Sequence, residues 1–266
     1  MPAARTRRDL FGLAVVMLAA ATGPARAAKP LRIGTTAGPV GRTLAFAADL
    51  ARREGQAVEI VEFTDWVTPN EAVASGDLDA NLFQHVPYLQ NAIRARGYRL
   101  VPVEGAIILP VGLFSKRVTS LDAVPDGAAV AIANDPVNAA RGLRLLQTAK
   151  LLTLRPGVGD EASVADIVEN PRHLRVLELD AAQLPRALDD VTLAQVSFTY
   201  LIAAGGDPKT ALATDGVGDR RYTMSFVARP DNRDDPRLAA FVRSFRSPEV
   251  KAFIQQTYAG SLEPAW

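Results

Sequence analysis

Hydrophobic and polar positions follow two rhythms along most of the chain. Residues 31–34 (LRIG) form a short apolar run, and residues 35–42 (TTAGPVGR) form a polar, glycine-rich loop. Over 43–54, Leu44, Ala47, Ala48 and Leu50 recur on one face, which predicts a helix. Residues 58–63 (VEIVEF) alternate as a strand does. A short helix over 71–75 follows Pro69-Asn70 and stops at Gly76. A strand over 77–83 (DLDANLF) leads into a helix over 87–97, which ends at Gly97. Further strands are predicted from 100–103 and over 128–133 (AAVAIA), 174–179 (LRVLEL) and 193–198 (LAQVSF). A helix over 137–149 starts well, because Asp135 can accept orphan amides and Pro136 suits the first turn. Residues 183–188 read as helical, and residues 236–258 as one or two helices broken near Ser247-Pro248.

Strands alternating with helices predict an α/β fold with largely parallel sheets. A single α/β sheet would also explain this pattern, but two stretches are better explained by two lobes. Residues 106–115 (AIILPVGLFS) are long and apolar but carry Pro110 and Gly112, and a central strand rarely holds a proline. Residues 222–228 (YTMSFVA) form a second long strand able to return across the molecule. We therefore expect two lobes, one made of residues 28–112 plus 226–266 and the other of residues 113–225. A ligand cleft would lie between them.

The first 27 residues change the picture of charge and destination. Arg5, Arg7 and Arg8 precede a run of twelve apolar residues (10–21), and Ala25-Arg26-Ala27 offers a small-residue cleavage site. This is the order of a secretory signal peptide cleaved after about Ala27. Twelve helical residues rise only about 18 Å, too short to span a bilayer. The Arg7-Arg8 pair also fits a twin-arginine signal, so the sequence leaves the Sec and twin-arginine routes both open. Removing four arginines and one aspartate turns the formal +1 into about −2, which withdraws electrostatic support for a nucleic-acid partner. The 266 residues hold no cysteine, so disulfides, thiolate metal sites, a cysteine nucleophile and a lipid-modified cysteine are not expected. Two histidines, His85 and His173, leave little for a zinc site, and no metal or cofactor is expected.

Three segments carry a resemblance: FTDWVTPNEAVASGDLDANLFQHVPYL (63–89), ANDPVNAARGLRLLQ (133–147) and VENPRHLRVLELDAAQLPRALDD (168–190), with the terminal YAGSLEPAW. Together they resemble the methionine-binding, NlpA/MetQ-type family of ABC-importer binding proteins, over essentially the whole mature chain. The resemblance implies a two-lobed periplasmic-binding-protein clamshell of type II, each lobe a mixed sheet flanked by helices. It implies a periplasmic protein that closes on methionine or a related amino acid or dipeptide. The ligand would then pass to an inner-membrane permease driven by a cytoplasmic ATPase.

The same resemblance implies a site. Arg141 matches the arginine that pairs the ligand carboxylate, and a planar guanidinium suits that task. Asn138, three residues earlier, shares its helix face. His85 and Tyr88, with Phe83 just before them, match the pocket-lining segment, where aromatic faces can hold a thioether. Trp66 stands where family members commonly have tyrosine. Two positions depart from the pattern, since Ser197 and Met224 occupy places where asparagines are expected. An asparagine offers donors and an acceptor to a zwitterion, whereas serine is shorter and methionine offers nothing comparable. Tyr200 and Thr199 are candidates to compensate.

An enzyme on the same scaffold would need a nucleophile, a base and an orienting group in reach. His85 with Asp65 or Asp79 is the nearest candidate set, but no G-x-S-x-G elbow, H-E-x-x-H or phosphate loop is present. We expect no enzyme. A binding protein that senses ligand without transporting it would need the same clamshell and stays open at this point.

Overall fold

The computed structural model describes residues 29–266 of the chain; the expected export segment, residues 1–27, lies outside the described residues. In chain order the elements are β1 (Leu31–Thr36), α1 (Pro39–Arg53), β2 (Val58–Phe63), α2 (Thr68–Ser75), β3 (Ala80–His85), α3 (Val86–Arg96), β4 (Val101–Ile108) and β5 (Val111–Phe114). There follow β6 (Ala129–Ala133), α4 (Pro136–Thr148), the short β7 (Thr153–Leu154) and β8 (Ile167–Glu169), β9 (Arg175–Leu179), α5 (Leu184–Ala187), β10 (Leu193–Ser197) and α6 (Phe198–Ala203). The chain ends with β11 (Ala213–Thr214), β12 (Thr223–Ala228), α7 (Pro236–Phe245), α8 (Pro248–Tyr258) and β13 (Glu263–Pro264).

Eleven of these strands form two mixed sheets, ordered β13-β4-β12-β3-β1-β2 and β11-β5-β10-β6-β9, with helices packed on both, and β7 and β8 pair as a small antiparallel ribbon. This is the expected two-lobed α/β architecture. The chain passes from the first sheet to the second at Leu109-Pro110 and returns through residues 215–222. The sequence-based division at 112/113 and 225/226 runs through β5 and β12. β5 pairs only within the second sheet and β12 only within the first, so the passages lie just before each. Pro110 sits between strands, where its missing N–H interrupts no ladder.

One core joins the sheets. Leu31, Ile33, Leu44 and Phe226 of the first lobe belong to the same buried cluster as Ala131, Val196, Phe198 and Leu201 of the second. A separate cluster around Val130, Leu143, Leu146 and Leu193 fills the far side of the second sheet.

Two local features shape the cleft. The loop expected over 35–42 is shorter, because α1 already begins at Pro39. Proline's fixed φ suits the first helical position, and Gly38 turns the chain with φ 114°. A Cβ on Gly38 would come within 3.1 Å of the Thr199 carbonyl oxygen, so only glycine lets α1 meet α6 this closely. The strand expected over 77–83 begins and ends later than expected. β3 also carries a bulge: Ser225 pairs with Gln84 and Phe226 with Leu82, which leaves Phe83 without an opposite residue.

Candidate functional site

The cleft holds a small cavity of about 20 Å³ lined by all eight residues singled out in the sequence, together with Gln84 and Val111. Elements of both lobes build it. Phe83 and His85 come from the end of β3, Tyr88 from the first turn of α3, Trp66 from the loop before α2 and Met224 from β12. Asn138 and Arg141 come from α4, and Ser197 from the end of β10.

His85 ends β3 and caps α3. Its Nδ1 accepts the Tyr88 backbone N–H at 3.2 Å, which places the ring proton on Nε2. That nitrogen donates across the cleft to Asn138 Oδ1 at 3.3 Å. Burial, reinforced by the positive charge of Arg141, lowers the His85 pKa from 6.5 to about 3, so the imidazole is neutral at physiological pH. Asn138 is held in turn by Asp135, whose carboxylate accepts the Asn138 amide at 3.0 and 3.1 Å and its backbone N–H at 2.9 Å. Burial raises the Asp135 pKa, opposed by the hydrogen bonds from Asn138.

Arg141 is only 6 % exposed. Its Nε donates to Asp215 at 2.6 Å, its Nη2 donates to the Leu109 carbonyl at 3.2 Å, and its guanidinium carbon lies 3.9 Å from the centre of the Tyr222 ring. A guanidinium carries five N–H groups, so three remain without a partner among the described residues. Gly142, the next residue, lets α4 lie close on β10. A Cβ there would stand 2.9 Å from Gln195 Oε1, the atom that accepts the Ala133 backbone N–H at 3.0 Å.

The aromatic residues brace one another. Trp66 stacks on Tyr200 (5.0 Å between ring centres, 29° between planes) and meets Tyr88 edge-on at 6.1 Å; Phe83 meets Tyr88 edge-on at 6.0 Å. The Tyr88 hydroxyl donates to the Trp66 carbonyl at 2.9 Å. Burial raises the pKa of Tyr88 and Tyr200 well above the ordinary phenol value, so both stay protonated. The Trp66 Nε1 is buried without a hydrogen-bond partner among the described residues. Ser197 caps α6, its Oγ accepting the Thr199 N–H at 3.3 Å. Met224 stands opposite His85 and Ile107 in the sheet.

Sequence reasoning brings together a set that the structure also brings together, but it missed two supports. Asp215 and Tyr222, which hold Arg141, lie more than 70 residues from it, with no motif linking them. Tyr200 was considered as a polar substitute; its hydroxyl instead reaches the Thr64 carbonyl at 3.4 Å and its ring backs Trp66. Thr199 is fully buried, and its hydroxyl has no partner among the described residues. Among the described residues no group of three or more His, Cys, Asp or Glu could hold a metal ion, and no helix is long and apolar enough to cross a membrane.

A sequence model of the NlpA lipoprotein family matches residues 31–266. The chain is 39% identical over 243 residues to the D-methionine-binding lipoprotein MetQ of Escherichia coli strain K12, covering 89% of this chain and 88% of that protein. It is 37% identical over 274 residues to outer membrane lipoprotein 2 of Mannheimia haemolytica, covering 97% and 99%. Among solved structures, a nutrient binding protein from Burkholderia cenocepacia bound to methionine superposes with a TM-score of 0.86 at 41% identity, covering 89% of this chain and all of that one. A crystal structure of the methionine-binding protein MetQ gives a TM-score of 0.86 at 38% identity, over 89% and 98%.

Proposed function

The chain belongs to the NlpA lipoprotein family, and we propose that it is a periplasmic solute-binding protein of an ABC importer, with methionine or a related amino acid or dipeptide as its ligand. The observation that carries this reading is the lining of one cavity by a buried guanidinium, with three N–H groups unpartnered among the described residues, and by four aromatic rings. Arg141 grips the ligand carboxylate. Trp66, Phe83 and Tyr88 enclose an apolar side chain, and the neutral His85 donates its single N–H to Asn138 Oδ1 and so orients that oxygen. Asn138 Oδ1 and Ser197 Oγ receive the ammonium group. The lobes are the two sheets with their helices, swinging about 109–110 and 215–222. Ligand contacts both lobes only when they are together, so binding favours the closed form, which an inner-membrane permease would recognise.

The Escherichia coli relative is named as a D-methionine-binding lipoprotein, and binding rather than turnover is the function we assign here. The 266 residues contain no cysteine to carry a lipid, so we place the exported protein free in the periplasm after cleavage near Ala27. Calorimetry of the mature chain against an amino-acid and dipeptide panel tests the reading. Stoichiometric binding of a methionine-type ligand is expected, with strong loss in Arg141→Ala. A panel without a single binder, and no small molecule co-purifying, would defeat it.

A further inference from the structure

Three carboxamides are almost wholly buried at the aromatic wall: Gln84 lines the cavity, and Asn70 and Asn81 are bonded to it outside the lining. Asn70, Asn81 and Gln84 are 1 %, 0 % and 2 % exposed. Asn70 Nδ2 donates to Gln84 Oε1 at 2.9 Å, and Gln84 Nε2 donates back to Asn70 Oδ1 at 2.5 Å. Gln84 Nε2 also reaches Asn81 Oδ1 at 3.0 Å. Asn81 Nδ2 donates to Asn70 Oδ1 at 3.0 Å and to the Pro69 carbonyl at 3.1 Å. Every amide oxygen in the set accepts, so reversing any one amide would set donor against donor.

The placement of the three ties two walls of the cavity together. Asn70 belongs to α2, directly after the loop that carries Trp66. Asn81 and Gln84 belong to β3, on either side of Phe83 and just before His85. In a regular strand residues three apart point to opposite faces. Here the extra residue at Phe83 brings Asn81 and Gln84 to the same face, where both meet Asn70. The bulge is what lets the amide cluster form. Apolar side chains of similar volume would fill the space without the cost of burying amides. What amides add is direction, since only one arrangement satisfies them.

We infer that Asn70, Asn81 and Gln84 are positioning residues: they hold the bulge at Phe83 and thereby set the Phe83–His85 wall against the Trp66 loop. Their consequence for ligand affinity rests on the cavity being the amino-acid site proposed above; their consequence for Trp66 does not.

The test uses the mature chain carrying Trp266→Phe, which leaves Trp66 as its single tryptophan. Asn70→Leu and the near-isosteric Gln84→Met are compared with Ile254→Val, a core change in α8 remote from the cleft and buried to the same degree. Two quantities are read: acrylamide quenching of Trp66 and affinity for L-methionine. Either amide variant is expected to raise the quenching constant two- to threefold and weaken affinity about tenfold, with the Ile254→Val protein staying within twofold of the parent on both. Amide variants that only lower the unfolding midpoint, with both quantities within twofold of the parent, overturn the inference. Failure of both variants to fold also overturns it, because the amides would then serve the fold alone. A parent that does not bind L-methionine counts against the proposed ligand, and the quenching ratio then decides the positioning claim by itself.

Discussion

On one side of the cleft, Trp66, Phe83, His85 and Tyr88 come from a strand end, a helix start and a loop, and they hold each other through ring contacts and buried amides. On the other side, Asn138 and Arg141 sit on one helix and are held by carboxylates, Asp135 and Asp215. The first wall supplies shape and apolar area and is neutral, since His85 is unprotonated. The second supplies charge. Shape is kept by packing, which tolerates small changes; charge is kept by a few atoms, which do not. A ligand must satisfy both walls to hold the lobes together, so damage to the charged wall should cost more.

The strongest way to break that asymmetry is Arg141→Ala. Removing one partner from a buried charge pair typically costs about 2–5 kcal/mol in binding, so affinity should fall at least thirtyfold, read by calorimetry. A loss under threefold would mean the carboxylate is held elsewhere. The next effect comes from acid. The His85 pKa is lowered on folding, so its contribution is complete above about pH 6.5 and declines as pH falls toward about 3. Each pH unit in that window should cost up to about 1.4 kcal/mol of stability. Denaturant unfolding between pH 6.5 and 4.5 should show this slope in wild type and a flatter one in His85→Gln; equal slopes would refute it. Met224→Asn restores an amide to the cleft and should tighten methionine binding by about 1.5 kcal/mol, roughly tenfold, at some cost in thermal stability. Unchanged affinity would show that the ammonium is already satisfied. Trp66→Tyr tests the tolerant wall and should shift affinity by about 1 kcal/mol or less.

Most of the fold was legible because its signals are local. The alternation in 58–63 became β2 with the expected ends, and Asp135-Pro136 capped α4 as its chemistry demands. The break at Ser247-Pro248 separates α7 from α8. The late end of β3 was not legible, because its bulge depends on Asn70 and Ser225, far apart in the chain. The eight candidate residues do share one cavity, since the motifs carrying them are contiguous segments. What supports them is not contiguous: Asp215 is reached only through the tertiary fold, and Tyr200 changed role once Trp66 was seen stacked on it.

The two passages between the lobes are unlike. One is Leu109-Pro110, where the proline ring clamps one backbone torsion; the other, over 215–222, contains Gly216 (φ 67°) and Gly218. In the closure proposed above, two adjacent tethers would act like the pins of a gate, with the glycine-bearing passage taking up more of the angular travel than the proline-bearing one.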